Sequence, residues 1–149
     1  MIDLAGWLEA TALAQHLKVS RWTYPLVNAG HVFGLALLVG SILALDLRML
    51  GLARRGMLAD VAALLRPVAA AGLVLAALTG AALFATQAGD YLASGWFRLK
   101  MALLAAALVN VALHRRLTAL PAARRRAAAF ASLCLWPAVL LAGRMIGYG

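Results

Sequence analysis

Residues 24–48 constrain the fold more than any other part of the chain. From Pro25 to Leu45 the sequence runs for 21 residues without a charged side chain, and its clearly polar residues are Asn28, His31 and Ser41. Because an α-helix rises 1.5 Å per residue, ~20 apolar residues cross the ~30 Å hydrocarbon core of a bilayer. The stretch therefore predicts a membrane-spanning helix that carries a histidine roughly 10 Å inside one end.

The composition of the whole chain also indicates a membrane protein. Of 149 residues, 65% are hydrophobic and 13% are charged, and the mean hydropathy is +0.90. Soluble domains average about 45–50% apolar and ~25% charged residues, so this excess cannot be buried in a water-facing globule of this size. The net charge of +9 comes largely from arginines between apolar stretches. Such clusters are typical of topology signals and lipid headgroup contacts, and we expect no nucleic-acid partner.

Three further apolar stretches predict a bundle of four spans. Residues 2–20 are too polar to cross a bilayer, and they predict an interfacial helix with tryptophan at headgroup level. Residues 87–96 are rich in turn formers and predict a loop. The predicted fold class is all-α, a single integral membrane domain over residues 1–149 forming an antiparallel four-helix bundle with an N-terminal interfacial helix. Its spans are expected at about 24–48, 58–86, 97–117 and 127–146.

Lysine and arginine counts predict how the bundle is oriented. The first and third loops hold nine basic residues, and the opposite side holds five. Since basic loops stay in the cytoplasm, we expect a multi-pass protein of a bacterial inner membrane with both termini in the periplasm. The nine are Arg48, Arg54, Arg55, Arg66, Arg115, Arg116, Arg124, Arg125 and Arg126.

Polar side chains from three spans are expected to meet near the outer end of this bundle. His31 lies seven residues below Tyr24, Lys100 about one turn into the third span, and Arg144 about one turn short of the end of the fourth. Asn28 is one turn above His31 on the same helix face. No acidic residue lies at this level within the spans, so the cluster predicts a positive pocket for an anionic ligand, a quinone head or a metal macrocycle with propionates.

Each of these residues has a functional and a structural interpretation. An ionisable group at membrane depth is costly and by default marks a functional site, and a neutral imidazole is a good ligand for haem iron. Gly30 and Gly34 form a small-xxx-small pair that permits close helix contact, and they are also expected to leave room for haem b beside His31. Alternatively, His31 hydrogen-bonds across helices as packing glue, while Lys100 and Arg144 extend to the headgroups.

A second polar level is predicted near the cytoplasmic end. His114 lies ~21 Å deeper than Lys100 along the third span, so His31 and His114 are too far apart in depth to bind one iron together. His114 is either a second cofactor ligand or an interfacial histidine in a basic loop. Asp46 and Arg66 are expected to form a structural pair at this level.

Three segments carry a resemblance to known proteins: NAGHVFGLALLVG, RRGMLADVAALLRPVAAAGLVLAALTG and YLASGWFRLKMALLAAALVNVALHRRL. Over most of residues 20–118 the chain resembles a group of small bacterial four-span proteins. More remotely, it is similar to HemJ-type protoporphyrinogen oxidases and to the membrane domain of CopD-type copper proteins. The resemblance to HemJ-type proteins implies haem b, with His31 and Lys100 as important residues and His114 matching a third-span histidine. The DLRMLG end of the first span departs from the aromatic, histidine-containing end of HemJ-type proteins.

The sequence leads to one principal hypothesis and two alternatives. The principal one is a b-type haem protein that moves electrons, with His31 as the axial metal ligand and with Asn28, Lys100, Arg144 and His114 as further cofactor-binding candidates. The second is a non-enzymatic accessory subunit that packs against another membrane protein. The third is a porphyrinogen oxidase-like or copper-handling protein. Expected partners are the lipid bilayer, a quinone or redox protein, and a second copy of the chain or a larger membrane complex.

Overall fold

The computed structural model describes residues 4–52, 57–114 and 119–148, and these residues form helices and short turns without a β-strand. The predicted residues 2–3, Arg54, Arg55, Arg115 and Arg116 lie outside this part of the chain. Two short helices come first, followed by four long helices and one short helix between the second and third of these. In chain order they are α1 Leu4–Glu9, α2 Ala12–Val19, α3 Thr23–Leu50, α4 Leu58–Thr86, α5 Ala88–Ala93, α6 Gly95–Leu113 and α7 Ala122–Met145, and a 3₁₀ turn follows at Ile146–Tyr148.

The predicted fold class is confirmed. The helices α3, α4, α6 and α7 are each long and apolar enough to cross a membrane. They pack as a bundle in which α3 contacts α4 and α7, and α6 contacts α7. The chain is therefore an all-α, multi-pass membrane protein with a four-helix core.

Two helix ends differ from the predicted bounds by more than two residues, and the predicted loop is partly helical. The last span begins at Ala122 instead of residue 127, because alanine and arginine are strong helix formers and extend the helix into the basic segment. Helix α6 ends at Leu113 with His114 as its C-cap, so it stops short of the predicted residue 117. The predicted loop 87–96 contains the short helix α5, whose Ala88 is fully buried.

Small residues decide which helices come close together. Gly34 of α3 and Gly72 of α4 are both buried in the contact between these helices, as expected for small residues at a membrane helix interface. In contrast, α4 and α6 are not packed closely against each other over the described residues. The space between these two helices holds the cavities described below.

The N-terminal segment folds onto the end of the bundle that also carries α5. The buried faces of α1 and α2 include Ala5, Ala14 and Leu17, and these helices contact α4 and α5. Glu9 accepts hydrogen bonds from the main-chain N–H of Gly89 at 3.0 Å and from the Lys18 ammonium at 3.1 Å. This link ties the segment to α5.

Candidate functional site

Four of the predicted site residues line one cavity. Asn28, His31, Lys100 and Arg144 surround a space of about 400 Å³ that is bounded by α3, α4, α5, α6 and the end of α7, and we call it the His31 cavity. Counting residues along each span thus placed these four side chains at a common level. That they bind a ligand stays a prediction.

The His31 ring is held in one orientation by α4. Its Nδ1 lies 2.9 Å from the main-chain oxygen of Ala76 and 3.2 Å from Oγ1 of Thr79. The Thr79 hydroxyl donates its own hydrogen to the carbonyl of Leu75 at 2.6 Å. Because a carbonyl oxygen can only accept, Nδ1 carries the proton, and in a neutral imidazole Nε2 then has the free lone pair.

This hydrogen bond serves helix packing and leaves the second ring nitrogen available. The bond from Nδ1 to Ala76 is an interhelical contact of the kind that the structural interpretation predicts. In the described ranges no residue forms a hydrogen bond with Nε2. Metal-binding histidines almost always donate the other ring N–H to a carboxylate, a main-chain carbonyl or a water, which fixes the tautomer. His31 has this arrangement.

A glycine on α4 provides the space for the ring. A Cβ atom placed on Gly80 would lie 2.9 Å from Cε1 and 3.3 Å from Nδ1 of His31, which is closer than real Cβ atoms approach. The expectation that Gly30 and Gly34 leave room for haem beside His31 is wrong, whereas the close helix contact expected of this pair is observed. Gly34 packs against main-chain atoms of Gly72 and Ala76, and Gly30 faces the methyl group of Thr79, because both lie on the side of α3 that contacts α4.

Lys100 reaches across from α6 to α7. Its side chain lies against Gly143, where a Cβ atom would be 3.4 Å from Cε and 3.6 Å from Nζ. The residue is half-buried and lines the His31 cavity. The ammonium therefore lies against α7 at the wall of the His31 cavity, and whether it also reaches the headgroups stays a prediction.

Arg144 and Asn28 lie at the more exposed edge of the cavity. Arg144 donates from its guanidinium to the Tyr148 hydroxyl at 2.8 Å and lies 5.0 Å from the centre of that ring. Both Arg144 and Asn28 are solvent-exposed. Asp90 of α5 also lines the cavity, so an acidic side chain from outside the spans accompanies the cations.

Sequence reasoning missed the aromatic wall of this cavity. Phe84, Tyr91 and Phe97 come from α4, α5 and α6, and their ring centres are 5.3 to 5.8 Å apart. Burial, followed by the nearby Tyr24, raises the pKa of Tyr91 above its usual range. The three rings bridge α4 and α6 at this level, and nothing in their sequence spacing indicated that α5 would bring them together.

His114 lines a different cavity near the other end of the bundle. This space of about 540 Å³ lies among α3, α4, α6 and α7, and its polar lining includes Asp46, Arg66, Asn110, His114, Ser132 and the Trp136 indole. We call it the Asp46 cavity, and it shares no lining residue with the His31 cavity. His114 donates from Nδ1 to the Asn110 carbonyl at 2.7 Å. Ser132 lies beside the Asp46 carboxylate, and the predicted pairing of Asp46 with Arg66 stays a prediction.

Comparison with known proteins leaves the function to be argued from these cavities. No protein-family model, no curated protein and no solved structure matches the chain. The resemblance to HemJ-type and CopD-type proteins therefore stays a prediction.

Proposed function

We propose that the His31 cavity binds haem b and that the protein moves electrons within a bacterial inner membrane. The observation that carries the proposal is the fixed tautomer of His31. Its Nδ1 proton is donated to the Ala76 carbonyl, so that the lone pair of Nε2 is free to bind a metal ion. A neutral imidazole nitrogen is an established axial ligand of haem iron.

The ligand set favours a macrocycle over a bare metal ion. In the part of the chain that the structure describes, no three His, Cys, Asp or Glu side chains are grouped as a metal site. An ion bound to His31 would therefore need most of its ligands from another source. A porphyrin supplies four nitrogens, and it needs only axial ligands from the protein.

The other lining residues fit the remaining parts of a haem. The Lys100 ammonium is inside the cavity and Arg144 is at its edge, where charge-assisted hydrogen bonds to propionates would be stronger than neutral ones. The rings of Phe84, Tyr91 and Phe97 form an apolar wall for a flat aromatic group. A bound haem would supply one-electron redox chemistry, which the described side chains lack.

The visible spectrum of detergent-purified protein from haem-replete cells tests this proposal. We expect a Soret band and a reduced α-band for the natural sequence, and their loss in His31→Asn. Asparagine can still donate a hydrogen bond to the Ala76 carbonyl from the position of Nδ1, but it has no counterpart of Nε2. This variant therefore removes the proposed ligand while it keeps the interhelical bond.

A histidine from the other cavity provides the control. His114→Asn should keep the spectrum, because His114 lines the Asp46 cavity, which has no lining residue in common with the His31 cavity. A colourless but folded protein from haem-replete cells would overturn the proposal. An unchanged spectrum in folded His31→Asn would overturn the role of His31.

One observation favours the accessory subunit as a second candidate function. Within α6, Ala107 is the one residue that is buried, and most of the other residues of this helix are exposed. Such a helix can face lipid, or it can face a partner helix in a larger complex. If the folded protein is colourless, the accessory subunit remains as the candidate function. Site-specific photocrosslinking from Val109 in native membranes would then test for a partner helix.

A further inference from the structure

The Asp46 cavity contains two deeply buried polar atoms without a partner. Oδ2 of Asp46 and Nε1 of Trp136 have no hydrogen-bond partner among residues 4–52, 57–114 and 119–148. Asp46 is 3% exposed and Trp136 is 2% exposed. A buried polar group left unpaired costs about 1–3 kcal/mol, and native structures contain few of them.

These two atoms belong to one patch of the cavity wall. Ser132 lies beside the Asp46 carboxylate, and Trp136 is one helical turn beyond Ser132 on the same face of α7. The patch thus combines an acceptor on α3 with a donor on α7. Neither atom faces open water, since both side chains are almost completely shielded.

Most of the rest of the wall is apolar, apart from Ser41, Arg66, Asn110 and His114, and it reaches the lipid-facing surface. Leu38, Ile42 and Leu73 line the interior, and Leu108 and Val111 of α6 line the cavity although they are 38% and 45% exposed. The cavity therefore opens between α4 and α6 within the membrane-spanning part of the bundle. Its volume of about 540 Å³ and its few polar groups are typical of a small-molecule site.

The two unpartnered atoms favour one class of ligand over others. A cation could pair with Asp46 but would leave the indole N–H unpaired, and an anion could accept from the indole N–H but would leave Asp46 Oδ2 unpaired. A neutral molecule that both accepts and donates satisfies the two atoms together. Water alone would fill an apolar-lined space of this size poorly, because it needs several polar partners per molecule.

We infer that the Asp46 cavity binds a lipid-soluble molecule of the quinone–quinol class, with a ring oxygen accepting from Trp136 Nε1 and a ring hydroxyl donating to Asp46 Oδ2. The carbonyl oxygens of a quinone can only accept, and the hydroxyls of a quinol both accept and donate. The quinone can therefore satisfy Trp136 Nε1, and the quinol can satisfy both unpartnered atoms. This inference goes beyond the proposed function and stands whether or not the His31 cavity holds haem. If both are correct, the quinone is the redox partner of the haem.

Calorimetric titration of the full-length protein in lipid nanodiscs tests the inference. The probe is ubiquinone with one isoprene unit, titrated in its oxidised and in its reduced form. We expect Trp136→Phe, which keeps an aromatic ring and removes the donor, to weaken binding of the oxidised form roughly tenfold. Trp96→Phe, at an exposed tryptophan outside the cavity, is the matched control and should bind as the natural sequence does.

Asp46→Asn tests whether Asp46 contacts the ligand directly. A purely structural role would change the affinities for quinone and quinol equally. The amide keeps an acceptor for Ser132 but replaces the open acceptor by a donor. We therefore expect the quinol to lose affinity while the quinone keeps or gains it, so that the ratio of the two dissociation constants changes. Equal weakening of both forms would contradict the assignment.

The same titration separates this inference from the haem proposal. His31→Asn should leave quinone binding unchanged, because the two cavities share no lining residue. The inference would be overturned if the folded natural protein did not bind the quinone. It would also be overturned if His31→Asn abolished binding while Trp136→Phe and Asp46→Asn did not. A colourless protein that binds quinone would overturn the haem proposal alone.

Discussion

Gly34 of α3 and Gly72 of α4 lie backbone to backbone at the centre of the contact between these helices. A Cβ atom on Gly72 would come within 2.6 Å of the Leu38 nitrogen and 2.7 Å of the Gly34 oxygen. A Cβ atom on Gly34 would come within 2.7 Å of the Ala76 nitrogen. Ala76 is also the residue whose carbonyl accepts from His31, so the separation set by the two glycines allows that hydrogen bond.

The first prediction is that Gly72→Ala destabilises the protein. The added methyl group meets main-chain atoms, which can move only with the whole helix, and overpacking of this kind typically costs about 1–3 kcal/mol. We expect a lower midpoint of thermal unfolding, followed by circular dichroism in detergent. Gly40→Ala is the control, because no heavy atom lies within 4 Å of its Cβ position and alanine favours a helix. Equal midpoints for the two variants would contradict the prediction.

The second prediction concerns the room that Gly80 leaves for the His31 ring. In Gly80→Ala the new methyl group would lie 2.9 Å from Cε1, so the ring must rotate away from the Ala76 carbonyl. If the proposed function is correct, the variant loses haem or shows a shifted Soret band in the visible spectrum. Gly89→Ala is the control outside the cavity, since its nearest contact would be an ordinary 3.5 Å to Glu9. A natural spectrum in folded Gly80→Ala would show that the ring position does not matter.

The third prediction concerns the charge of Lys100. Lys100→Met keeps a long side chain against Gly143 but removes the ammonium from the cavity. Loss of a charge-assisted hydrogen bond costs about 1.5–3 kcal/mol, so the affinity for haem should fall roughly 10- to 100-fold. The measurement is a titration of haem into protein purified without it. Arg98→Met removes an exposed cation from the same helix and should bind haem normally. Equal loss of affinity in both variants would show that the net charge of the protein, and not a contact with Lys100, affects haem binding.

The sequence was sufficient to predict the spans and the level of each polar group. Residues 58–86 were predicted as a span and form α4 with the same bounds. The depths of His31, Lys100 and Arg144 followed from the rise per residue alone, and the three side chains line one cavity. Length and hydrophobicity fix how deep a residue lies, because the bilayer thickness is constant.

The rotation of each helix about its axis could not be predicted in the same way. A helix that is apolar on all sides has no polar face to indicate which side is buried. The sequence therefore did not show that Gly80 and Gly143 face the cavity, or which helix Gly30 and Gly34 would contact. The buried positions of Asp46 and Trp136 also depend on this rotation, and for that reason only His114 of this cavity was predicted as a ligand-binding residue.

The fourth prediction is a pH dependence at the link between the N-terminal segment and α5. The main-chain N–H of Gly89, followed by the Lys18 ammonium, stabilises the carboxylate and lowers the pKa of Glu9 below its ordinary value. A carboxyl whose pKa is lower in the folded state stabilises that state above the pKa of the unfolded chain, about 4.3. This contribution is lost as the pH falls through the lower, folded value.

Two measurements check this pH dependence of the Glu9 link. In amide NMR spectra of the detergent-solubilised protein, the Gly89 proton should titrate with a midpoint below pH 4.3, the ordinary glutamate pKa. Glu9→Gln should abolish this titration, because the neutral amide keeps an acceptor for Gly89 but cannot be protonated in this range. The natural protein should also unfold at a higher temperature than Glu9→Gln at pH 6, and the difference should shrink as the pH approaches 3. A Gly89 signal that titrates at or above the ordinary value would contradict the link, since protonation would then not compete with the hydrogen bond.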